Sequence, residues 1–64
     1  MKNKLQKIRE EKDWTQEKLA EESGVSRVTI SGIESGKLQV VKTDTLAKIA
    51  DALGMTIPAV FFCE

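Results

Sequence analysis

Sixty-four residues suffice for one domain, so residues 1–64 are read as a single folding unit. Ten basic and ten acidic side chains cancel, and a hydrophobic content of 41% is enough to build a core, which excludes a disordered chain. The chain has no histidine and one cysteine, Cys63, so structural zinc, an internal disulfide and histidine-based catalysis are excluded.

A domain this small buries only ~60% of its unfolded surface, so its stability is marginal without a partner or close packing. No run of 18 apolar residues and no signal-peptide pattern occurs, which points to a soluble, cytoplasmic protein outside the membrane. The charges are unevenly placed. Residues 1–12 hold five basic side chains against two acidic ones, whereas residues 13–34 hold two against five.

Residues Lys2 to Lys12 read as the first helix. Leu5 and Ile8 form its inward stripe, and Lys2, Lys4, Lys7 and Lys12 lie toward solvent or a polyanion. Arg9 flanks the stripe, so its stem is expected to be partly buried. A polar run, Glu10 to Asp13, then leads to Trp14.

The next helix starts after Thr15, whose hydroxyl can accept from a free backbone N–H one turn on. Trp14 and Leu19 stand at hydrophobic-staple spacing around that cap. Leu19 and Ala20 face inward, and Ser23-Gly24 ends the helix, because glycine accepts the left-handed conformation of a sharp stop. Ser26 caps a third helix, with Val25 and Ile30 as a second staple and Ile30 and Ile33 as its buried stripe. Two capped helices separated only by Gly24-Val25 must cross steeply, which is the geometry of a helix-turn-helix. Small Ala20 allows close approach, Gly24 makes the turn, and Ile30 plugs the corner.

Residues 36–42, GKLQVVK, connect onward from a natural stop at Gly36. Leu38, Val40 and Val41 are unusually apolar for a loop, so part of it is expected to fold back on the core. Thr43 or Asp44 can cap a fourth helix running to Leu53, with Leu46, Ile49, Ala50 and Leu53 as its apolar stripe. Gly54 stops it. Thr56 caps a short fifth helix with Pro58 in its first turn and Met55 and Val60 at staple spacing.

The TQ pair at 15–16, the LA pair at 19–20, the glycine turn and SxxTIxxIExGK over 26–37 closely resemble the phage Cro and repressor family, the XRE-type or lambda-repressor-like proteins. The stretch DTLAKIADALGMTIPAVF over 44–61 is similar to that family's fourth and fifth helices, so the resemblance covers nearly the whole chain. It implies an all-α, compact five-helix bundle that binds double-stranded DNA. It also implies that Arg9 and Glu34 pair, tying the first helix to the recognition helix. Residue spacing alone leaves open whether that pair is buried or exposed. The sequence departs from the family at the loop near Val41, where a proline is common, and at Gly32, where a DNA-contacting side chain is usual.

With Ile30 and Ile33 inward, helical spacing turns Val28, Ser31, Gly32 and Ser35 outward, and Ser26, Arg27 and Thr29 sit in the exposed first turn. Arg27, Val28, Thr29, Ser31 and Gly32 are therefore the candidate base contacts. Arg27 can donate twice to guanine, and Val28 can touch a thymine methyl. Lacking a side chain, Gly32 either allows closer backbone approach or narrows what is read. Gln16 is the family's bridge between phosphate and recognition helix, and Ser26, Lys37, Lys42 and Thr43 are further phosphate contacts. Ordinary surface placement is the plainer alternative for Arg27 and Val28.

Val60, Phe61 and Phe62 crowd the end of the chain. The resemblance suggests a homodimer through them, with recognition helices about 34 Å apart. The alternative is that both rings pack within one monomer, one finishing the core and one left exposed. The thiol of Cys63 is read as incidental. The function expected is sequence-specific transcriptional regulation, in the form of a repressor that occupies a near-palindromic operator. No cofactor, metal or small-molecule ligand is expected, and nothing resembles a catalytic cluster. The rival reading is a protein-interaction module or antitoxin-like subunit, which the neutral charge, the acidic Glu17, Glu21 and Glu22 and the bare Gly32 favour.

Overall fold

The computed structural model describes residues 3–38 and 40–62, so readings at Lys2 and Cys63 lie outside the described residues. These residues form α1 (Leu5–Glu11), α2 (Gln16–Ser23), α3 (Arg27–Ser35), α4 (Thr43–Ala52) and α5 (Ile57–Phe61). Thr15, Ser26 and Thr56 each accept from the backbone N–H three residues on, at 3.0, 3.2 and 3.3 Å. The hydroxyls thus satisfy donors that a helix start leaves open. Around the Ser26 and Thr56 caps, Val25 with Ile30 and Met55 with Val60 pack into or against the core, as the staple spacing requires.

Two boundaries differ from expectation. α1 starts at Leu5, where Asn3 Oδ1 accepts from the Leu5 N–H at 3.0 Å. α4 starts at Thr43 with Lys42 in the cap position, so neither Thr43 nor Asp44 caps it, and no side chain does. Asp44 instead lies in the first turn, where a carboxylate complements the helix dipole, and it pairs with Lys48 at 3.5 Å. That pair is exposed and contributes a few tenths of a kcal/mol at most.

α2 crosses α3 and also packs on α4; α5 closes against α4 and α1, and α1 lies on α3. The core between them is Leu5, Ile8, Leu19, Val25, Ile30, Ile33, Leu46, Ile49, Ala50, Leu53, Val60 and Phe61. Ala20 sits half-buried at its edge. The α1 entry is stitched to two other elements. The Lys4 N–H donates to Val60 O at 2.9 Å, and Asn3 Nδ2 donates to Ile33 O at 3.2 Å.

α1 and α4 end alike. Trp14 N–H reaches back to Arg9 O at 3.1 Å and Met55 N–H to Ala50 O at 2.9 Å, each across a left-handed residue. That residue is Gly54 after α4 but Asp13 after α1, at φ 59°. Both are Schellman closures. Leu38 and Val41 fold back on the core as the apolar loop suggested, while Val40 stands 91% exposed.

Gly24 has φ 74°, and a Cβ built there meets nothing within 4 Å. Any penalty for adding one is therefore backbone conformation alone. Gly24→Ala is expected to lower unfolding stability by about 1–2 kcal/mol in urea titration. An unchanged midpoint would show that the turn tolerates a right-handed substitute.

Candidate nucleic-acid interface

Ser26 fixes the start of α3 twice: besides capping, its Oγ donates to Thr29 Oγ1 at 2.9 Å. Arg27 and Val28 are left projecting from the first turn, with Val28 75% exposed. Thr29 is half-buried, its hydroxyl held by Ser26. Arg27, Val28, Thr29, Ser31 and Gly32 line one open concavity of about 470 Å³, together with Ser35, Lys37 and Leu38. The five candidate base contacts are thus brought onto a single face.

Gly32 does not stand open there. A Cβ on it would fall 2.8 Å from Leu38 Cγ, so the loop after α3 already covers it. No sequence period announces this, because Leu38 arrives from beyond the helix stop at Gly36. Of the candidate phosphate contacts, Lys37 shares the concavity, Ser26 is exposed at the start of α3, and Lys42 and Thr43 are exposed at the start of α4.

Behind this face runs a polar relay. Arg9 Nε donates to Glu34 Oε2 at 2.8 Å, and Arg9 Nη2 donates to Glu34 Oε1 at 3.1 Å. Gln16 Nε2 donates to the same Oε1 at 3.1 Å, and Gln16 Oε1 accepts from Arg27 Nη1 at 3.4 Å. Arg9 also donates to the carbonyl of Trp14. The relay therefore joins α1, the α1–α2 turn, the start of α2 and both ends of α3.

The side chains of Arg9 and Glu34 are 10% and 5% exposed, so the pair is buried. Hydrogen bonding to Glu34 raises the Arg9 guanidinium above its ordinary range, against the opposing effect of burial. Among the described residues, no fully buried side-chain N or O lacks a partner. A two-pronged contact of this kind suits arginine and a carboxylate, and losing either member strands the other. Sequence reasoning found this pair and Gln16 but missed Asn3, whose polar side chain beside a helix start was the available signal.

The end of the chain corrects one expectation. Val60 and Phe61 are 0% and 2% exposed, packed in the core of the monomer, and so offer no surface to a partner. With α5 lying on α4 and α1, successive residues cannot all point outward. Phe62 is 67% exposed. Among the described residues, no helix is long and apolar enough to cross a membrane.

A family model described as helix-turn-helix matches residues 5–60. The chain is 42% identical over 65 residues to the uncharacterized HTH-type transcriptional regulator YgzD of Bacillus subtilis, spanning all of this chain and 96% of that one. It is 44% identical over 64 residues to the uncharacterized HTH-type transcriptional regulator MJ0272 of Methanocaldococcus jannaschii, with the same coverage. It is 49% identical over 49 residues to the HTH-type transcriptional repressor RghR of Bacillus subtilis. That match takes in 77% of this chain but 36% of RghR, so the likeness extends to about a third of the longer protein.

Glu34→Ala leaves Arg9 charged, buried and without its carboxylate. We expect a loss of about 3–5 kcal/mol in chemical denaturation, a large part of a small domain's stability. A loss below about 1 kcal/mol would mean that the pair behaves as a surface contact.

Proposed function

We propose, from the premise that the chain belongs to the XRE-type helix-turn-helix family, that it is a repressor that reads a near-palindromic operator as a dimer. DNA-binding regulation of transcription follows from the family, which is not a class of enzymes. Repression is supported by the likeness to the repressor RghR, and a cytoplasmic location by the DNA-binding role of the family.

The observation that carries this reading is the gathering of Arg27, Val28, Thr29, Ser31 and Gly32 around one open concavity on a capped α3. In a helix-turn-helix the second helix enters the major groove and its N-terminal residues meet base edges. Arg27, steadied by Gln16, would fork onto guanine N7 and O6. Val28 would touch a thymine methyl. Gln16, Ser26, Lys37, Lys42 and Thr43 would set the register through phosphates, which carry no sequence information themselves. Phe62, exposed beyond the core, is the aromatic surface left for pairing two copies near α5. Two-fold pairing would place half-sites one DNA turn apart, and occupancy of such a site would exclude polymerase.

Purified protein is expected to enrich an inverted repeat from a random duplex pool at low salt. An enriched single half-site would keep DNA reading and remove the dimer. No enrichment at roughly 10 μM protein, where non-specific binding should begin, would favour a protein partner instead. Arg27→Ala should cost about 1–3 kcal/mol on the selected site and relax preference at one base position. Uniform weakening on every sequence would reduce Arg27 to a phosphate contact. Lys42→Gln should weaken all duplexes alike and lower the slope of affinity against salt by about one.

A further inference from the structure

The concavity on α3 has a floor that α3 does not supply. A Cβ at Gly32 would lie 2.8 Å from Leu38 Cγ and 2.9 Å from Leu38 Cδ1. The space for a side chain at position 32 therefore holds Leu38. The backbone secures this placement, because the Leu38 N–H donates to Gly32 O at 3.1 Å. The Leu38 side chain is half-buried, its inner part against the core and its outer part lining the concavity.

Val28 and Gly32 are four residues apart and share a helix face. Leu38 laid over Gly32 therefore continues the apolar surface that Val28 begins. Arg27 and Lys37 also line the concavity, and no acidic residue does among those described. An apolar floor within a basic rim matches one feature of duplex DNA: a thymine methyl that projects into the major groove between phosphate walls.

We propose that Leu38, reaching across Gly32, is a specificity-determining residue that covers a thymine methyl, in the place that a side chain at position 32 would otherwise take. The assignment rests on the DNA-reading function proposed above. It makes the loop, and not only the helix, a reader of sequence. A bare glycine then becomes the condition for that reading.

The test takes the duplex selected by the wild-type protein and replaces its thymines one at a time with deoxyuridine, which removes only the methyl group. The wild type should lose about fourfold in affinity at the thymine that Leu38 covers, the weight of one buried methyl. Leu38→Ala should bind the unmodified duplex about as weakly as the wild type binds that deoxyuridine duplex, and should be indifferent to the replacement. Leu38→Met keeps apolar reach and should retain the loss. Gly32→Ala, which favours the helix but displaces Leu38, should bind the unmodified duplex more weakly than the wild type. Helical circular dichroism would confirm that each variant is folded. Equal losses for wild type and Leu38→Ala at every thymine would overturn the assignment and leave DNA reading intact. So would a selected site without thymine. Failure of the wild type to select any duplex would overturn both.

Discussion

A carboxylate with three hydrogen-bond obligations stands at the centre of this domain. Glu34 accepts twice from Arg9 and once from Gln16, at 5% side-chain exposure, so its charge is separated from water and neutralised within the protein. Such a group is costly to bury and costlier to leave half-satisfied. The helices must therefore meet at the distances that satisfy it. α1 cannot slide along α3 without opening the Arg9 fork, and α2 cannot rotate without withdrawing Gln16. An apolar core alone would accept several such shifts; the fork accepts one arrangement.

The same oxygen connects folding with reading. Glu34 Oε1 receives both Arg9 and Gln16, and the far end of Gln16 meets Arg27. The side chain suited to guanine is thus braced by a residue whose own position depends on the buried pair. The neutral total charge is compatible with this design, since Arg27 and Lys37 stand exposed while Arg9 is neutralised inside by Glu34. The proposed interface has Arg27 and Lys37 at its rim, while the acidic Glu17, Glu21 and Glu22 stand exposed on α2.

Most of the architecture was legible because its signals are local. A hydroxyl three residues before the N–H it serves, a staple around each cap and a glycine after a helix can all be read without knowing the fold, and Thr15, Ser26, Gly24 and Thr56 follow those rules. The Arg9–Glu34 pair came from family resemblance, and its burial needed the packing of α1 on α3. What was not legible depends on contacts between distant positions. α5 has five residues, little more than one turn, so its period could not decide which of Val60, Phe61 and Phe62 face inward. Asp13 adopts a conformation usual for glycine because the closing hydrogen bonds around it demand it. Leu38 settles over Gly32 only because the chain turns back at Gly36, beyond any helical repeat.

The stitch at the α1 entry has a topological consequence. Lys4 donates to Val60, so the first and last described helices begin and end side by side, with Asn3 joined to the C-terminal half of α3. The chain therefore enters α1 and completes α5 at the same corner of the bundle. A fused reporter at one end is then also a neighbour of the other. A short peptide bridge across that corner would close the five helices into a ring with little displacement, and new ends could be opened at an exposed turn elsewhere.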